Sequence, residues 1–120
     1  MSPAPLRVLV AENQYLIAME VERMLGETLP CEVTITPLAH LRETLAREKF
    51  DVVIVEAVLA ESENIERTRA ITDSGARPVF LSSYGHVALR GTVVSAHPVV
   101  PKPPQPEDLA AAVFEAAHRR

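Results

Sequence analysis

Six side chains carry most of the chemical promise of this sequence: Glu12, Asn13, Glu56, Ser82, Tyr84 and Lys102. Each of them follows a short apolar run or lies in the loop just after one. Val8-Leu9-Val10-Ala11 leads into Glu12-Asn13, Val52-Val53-Ile54-Val55 into Glu56, and Val79-Phe80-Leu81 into Ser82-Ser83-Tyr84. Val99-Val100-Pro101 leads into Lys102. An acid pair with a lysine and a hydroxyl could bind a cation, meet a phosphoryl group or support a hydrolytic nucleophile. The last use finds little support. Ser82-Ser83-Tyr84-Gly85 is not GxSxG, and no His/Asp pair is placed to activate Ser82 or Ser83. His40, His86, His97 and His118 lack metal-ligand spacing. The glycines at 26, 75, 85 and 91 are too scattered for a dinucleotide or P-loop phosphate cradle.

The elements that must position these residues alternate along the chain. Arg7–Ala11 and Asp51–Glu56 read as buried strands, Glu32–Thr36 as a half-buried one and Pro78–Leu81 as a fourth. Val52 to Val55 lack polar alternation, as a central parallel strand covered on both faces does. Pro98 to Pro106 is proline-rich and brackets an edge strand at Val99-Val100. Tyr15 to Leu25 has helical spacing of Leu16, Ile17, Val21, Met24 and Leu25. Thr36-Pro37 reads as an N-cap opening a second helix that ends near Lys49. A polar segment contains a third helix over Ile65–Asp73, stopped by Gly75. Val87–Val94 is a poor fourth helix, and Glu107–His118 closes the chain as a fifth. The pattern predicts an α/β fold: a doubly wound five-stranded parallel sheet with five helices, forming one domain over residues 1–120 with a core of about 7–118. In such sheets ligands meet the protein beyond the carboxyl ends of the strands, where Glu12-Asn13, Thr36, Glu56, Ser82-Ser83 and Pro101-Lys102 converge.

Composition bounds the rest. The chain has 120 residues, 48% hydrophobic and 23% charged, an ordinary globular balance. Net charge is −4 with no basic face, which argues against nucleic acid as a partner. Cys31, the single cysteine, excludes an intrachain disulfide and reads as a small buried residue at a strand start. No apolar run approaches the roughly 18–20 residues that span a bilayer, and Met1–Pro5 is no signal peptide. The expected setting is the cytoplasm, without membrane association.

Taken in order, these segments resemble the receiver domain of bacterial two-component response regulators from Arg7 to Ala117. Val8–Met19 resembles the family's first strand, acidic pair and first helix. Asp51–Glu56 resembles the third strand, with Glu56 where the family carries its phosphoaccepting aspartate. Phe80-Leu81-Ser82-Ser83-Tyr84-Gly85 resembles a Phe-Ala-Thr-Gly-Tyr-Gly loop found in a subgroup of receivers, and Pro101-Lys102-Pro103 resembles the family's lysine–proline pair. The resemblance implies a flavodoxin-like fold with strand order 2-1-3-4-5 and a cis Lys102–Pro103 bond. It makes Ser82, Tyr84 and Lys102 the equivalents of the phosphate-sensing switch residues.

The departures lie in the chemistry. The acidic pocket is Glu12 and Asn13, an amide standing at the metal-ligand position, and the acceptor position holds glutamate. The magnesium site at Glu12, Asn13, Glu56 and Val58 is therefore degenerate, Mg²⁺ binding is expected to be weak or absent, and no cofactor is expected. A non-enzymatic, phosphorelay-type signalling module follows, acting through protein partners such as a histidine kinase, a phosphotransferase or a downstream regulator, with a homodimer possible. The chain ends after the fifth helix, so no output domain is expected. Two alternatives stand beside this: a conventional receiver phosphorylated on another acceptor, and a small α/β enzyme using Ser82 or Ser83. Flavin binding is disfavoured, because Glu12 would repel a phosphate.

Overall fold

In the computed structural model, residues 4–119 are described, apart from the side chains of His86 and Val87. Five parallel strands form one sheet: β1 (Leu6–Ala11), β2 (Cys31–Thr36), β3 (Val52–Glu56), β4 (Arg77–Ser82) and β5 (Val99–Pro101). Their order is β2-β1-β3-β4-β5, as the sequence led one to expect. Helices α1 (Tyr15–Thr28) and α5 (Pro106–Ala117) cover one face. Helices α2 (Leu41–Arg47) and α3 (Glu61–Asp73) cover the other.

Side-chain alternation along the strands builds two cores. Val8, Val10, Ile54, Val79, Leu81 and Val100 point toward α1 and α5, while Leu9, Ala11, Val53, Val55 and Phe80 point the other way. Val52 to Val55 are all at most 1% exposed, which explains their unbroken apolar run.

The fourth helix is the main departure. In place of Val87–Val94, a single turn, α4 (His86–Leu89), is followed by a 3₁₀ turn at Val94–Ala96. Gly91 sits at φ 77°, a left-handed conformation that ends helical propagation before the β-branched Thr92-Val93-Val94. Among the described residues, four longer helices and one isolated turn thus stand where five helices were expected.

The start of the second helix also differs. Thr36 is the last residue of β2, and a 3₁₀ turn (Leu38–His40) precedes α2. The Leu38 N–H is capped by Asn13 Oδ1 at 2.9 Å rather than by Thr36. Helix α3 begins four residues before Ile65, at Glu61, and Gly75 closes it at φ 95°, donating its N–H to Thr72 O at 3.0 Å. Cys31 opens β2 half-buried, and burial pushes its thiol pKa up. His97 packs against the Phe80 ring, with its pKa pushed down by burial and then by Arg119 and Arg77.

Strand β5 is short and flanked by prolines. Phe80 N–H donates to Pro98 O at 3.0 Å and Lys102 N–H to Ser82 O at 2.9 Å. By alternation, Val99 and Pro101 turn their backbones outward, away from β4. The Lys102–Pro103 peptide is cis. Among the described residues, no helix is long and apolar enough to cross a membrane.

Candidate functional site

The carboxyl ends of β1, β3 and β4, with the residue just after β5, bring Glu12, Glu56, Ser82 and Lys102 to one edge of the sheet. Register fixes this. Glu56 pairs with Leu81 and Ser82 with Pro101, so acid, hydroxyl and lysine lie on adjacent strands at nearly the same height.

The central contact is an ion pair between Lys102 Nζ and Glu56 Oε2. The lysine side chain is 19% exposed and the glutamate 40%, so water screens the pair only partly. Glu56 is also held through its backbone, because Arg67 Nη1 donates to its carbonyl at 2.8 Å. Ser82 is buried, and its hydroxyl is taken up within its own loop, accepting the Tyr84 N–H at 2.9 Å. Tyr84 is 36% exposed and lies over a small apolar hollow of about 120 Å³ formed with Gly85, Leu89, Val99 and Pro101.

Glu12 is buried. Its Oε1 accepts the Gln14 N–H at 3.0 Å, while Oε2, fully buried, has no hydrogen-bond partner among the described residues. Asn13, expected beside it in the pocket, faces elsewhere, because its Oδ1 caps Leu38 across the β2–α2 connection. The crevice therefore unites Glu12, Glu56, Ser82 and Lys102 on one edge and leaves Asn13 out.

Two residues of the crevice wall were not singled out in the sequence: Asn64 and Arg67. Asn64 is 2% exposed; its Oδ1 accepts the Val58 N–H at 3.0 Å and its Nδ2 donates to Val58 O at 2.6 Å. The sequence signal was faint. Asn64, Thr68 and Ile71 form the buried face of α3, a stripe mostly polar where an apolar one marks a helix by eye.

The receiver resemblance implies a magnesium ion held at Glu12, Asn13, Glu56 and the Val58 position. The donors present do not fit it. Asn13 Oδ1 serves Leu38, one carboxylate oxygen of Glu56 serves Lys102, and the Val58 carbonyl serves Asn64, while Glu12 Oε2 is buried without a partner among the described residues. Mg²⁺ demands near-ideal octahedral oxygen geometry and dehydrates reluctantly, so a set whose amide and carbonyl oxygens are engaged elsewhere and whose central carboxylate is held by a lysine is a poor host.

No protein-family model matches the sequence, and no curated protein matches it closely. Solved structures do. A response regulator from Thermotoga maritima superposes with TM-score 0.79 at 22% identity, covering 96% of this chain and 99% of that one. The fold is that of response-regulator receivers. A receiver protein from Sinorhizobium medicae gives TM-score 0.73 at 17% identity, with 97% of each chain covered. A LuxR family DNA-binding response regulator from Silicibacter pomeroyi gives 0.70 at 20% identity, over 93% of this chain and 91% of that chain. Within this receiver fold, Glu56 and Lys102 occupy the ends of β3 and β5, and the Ser82 loop the end of β4.

The ion pair has a direct chemical readout. The chain has two lysines, and Lys49 is exposed. In competitive amine labelling Lys102 should react more slowly than Lys49. Glu56→Gln should raise the Lys102/Lys49 ratio about three- to tenfold, the scale of a partly screened charge-assisted hydrogen bond. An unchanged ratio would mean that the pair does not hold the amine.

Proposed function

We propose that this chain is a receiver-like signalling module that acts through protein contacts and is not phosphorylated in the usual way. The observation that carries this reading is the Glu56–Lys102 ion pair. In a receiver the lysine would meet a phosphoryl group; here its charge is already matched by a carboxylate of the same chain. Glu56 is a permanent, partial stand-in for that group. It carries one unit of charge and two acceptor oxygens, against nearly two units and three oxygens for a phosphoryl group.

Two further features favour the reading. Phosphoryl transfer rests on positioning and on charge neutralisation by metal, and Asn13 Oδ1, the Val58 carbonyl and one oxygen of Glu56 are already engaged within the chain. On α1, Tyr15 and Leu16 are 64% and 81% exposed and Met19 lies one turn on. A cluster of large apolar side chains at a surface fits a protein partner better than a small substrate. Catalysis at Ser82 is disfavoured, since its hydroxyl is spent on Tyr84 N–H and no imidazole is bonded to it among the described residues. Ser83 is exposed and likewise lacks a base among them.

The test combines a small-molecule phosphodonor, millimolar Mg²⁺ and intact-mass measurement. The unmodified mass should persist, and Mg²⁺ should leave the thermal midpoint unchanged, since a ligand of the native state must raise it. A phosphoryl adduct mapped to another side chain would instead establish a receiver with a relocated acceptor.

A further inference from the structure

We propose that α3 carries a hydrogen-bonded clasp, centred on Asn64, that fixes the β3–α3 loop without a bound cation. The inference rests on the contacts of α3 and not on the charge of Glu56.

Asn64 spends both polar ends of its side chain on one residue, accepting from Val58 N–H at 3.0 Å and donating to Val58 O at 2.6 Å. This is the two-bond pattern a neighbouring strand would offer, supplied to a segment that has already left the sheet. Ala57 makes the last sheet-like bond, its N–H donating to Leu81 O at 2.8 Å, and Leu59 beyond Val58 is exposed. Without Asn64, the Val58 N–H and C=O would depend on water or an ion. Asparagine is also a poor choice inside a helix on propensity alone, because its side chain competes for backbone groups. At position 64 that competition is put to use on another segment.

The clasp extends along one face of α3. Thr68 Oγ1 donates to Asn64 O at 2.8 Å, bracing the turn that presents the amide. Arg67 donates to Glu56 O, and Glu61 Oε2 accepts the Val93 N–H at 2.9 Å. Positions 61, 64, 67 and 68 recur at helical spacing, so one helix face grips the end of β3, the loop after it and the β4–β5 connection. The Val58 carbonyl, the backbone oxygen of the degenerate magnesium site, is filled by an amide of the same chain.

The experiment is amide hydrogen exchange read at single residues by NMR on the whole chain. Val58 N–H should be protected in the unmodified protein, equally with and without millimolar Mg²⁺, and equally in Glu56→Gln. In Asn64→Ala its exchange should accelerate at least about tenfold, the effect of losing one intramolecular hydrogen bond in a local opening. Amides of Val53 and Ile54 in β3 should change much less, separating loss of the clasp from loss of the fold. Exchange at Val58 as fast as at Leu59 until Mg²⁺ is added would overturn the proposal, and that measurement needs no variant to fold. An unchanged Val58 rate in folded Asn64→Ala would also overturn it. The Glu56→Gln arm separates this inference from the proposed function: a clasp that survives there stands whether or not Glu56 acts as a phosphoryl stand-in.

Discussion

Asn13→Asp combined with Glu56→Asp is expected to bring Mg²⁺-dependent phosphorylation to a chain proposed to lack it. A carboxylate about 4 Å from a divalent ion contributes roughly 8 kcal/mol of gross attraction at an effective dielectric of about 20, before desolvation offsets part of it. Shortening Glu56 by one methylene withdraws the carboxylate from Lys102 and restores the reach of an aspartate nucleophile, where a misplacement of about 1 Å costs orders of magnitude. To reach the metal, the new carboxylate at position 13 would have to give up the cap on Leu38 that Asn13 now makes. Asn64 would still hold the Val58 carbonyl. The triple variant with Asn64→Ala should therefore bind Mg²⁺ more tightly than the double one, in a titration followed by thermal midpoint. A double variant that takes up no phosphoryl group from a small-molecule donor would locate the block outside these two positions.

Phe80→Ala should be the most damaging single truncation near the site, costing about 3–5 kcal/mol. Phe80 is fully buried at the centre of β4, on the face shared with Leu89 and Val94. With α4 reduced to one turn, few side chains can collapse into the space vacated. A domain of this size holds about 5–15 kcal/mol in all, so a large share of its stability should vanish. Urea unfolding would show this as a midpoint displaced at unchanged slope. A loss below about 1 kcal/mol would mean that the β4–β5 connection rearranges to fill the void.

Strands were legible in the sequence because burial on both faces of a parallel sheet leaves an unmistakable signature. Val52–Val55 announced itself as central, and the alternation of apolar runs with helical segments gave a parallel sheet, whose strand order came from the receiver resemblance. Helix starts were harder. Thr36-Pro37 looked like a cap, yet the cap on Leu38 comes from Asn13, a residue distant in sequence that local rules could not supply. Helix α3 was read short at its N-terminus for a related reason: its buried face presents Asn64 and Thr68, so apolar periodicity was missing where tertiary hydrogen bonding took its place. At the site, Glu56 and Lys102 could be paired from topology alone, since both follow strands entering one crevice. The commitments of Asn13 and Val58 could not, because a side-chain amide chooses its partner by geometry within a few ångströms.

The prolines around β5 bear on how this protein can assemble. An added strand needs a ladder of free N–H and C=O groups. The outward-facing positions of β5 are Val99 and Pro101, and of these only Val99 has an N–H to give. The β5 side of the sheet is thus a poor template for an added strand, whether from a peptide or from another copy. Contacts made on that flank would rest mainly on side chains rather than on a shared backbone ladder, so they could be adjusted one residue at a time.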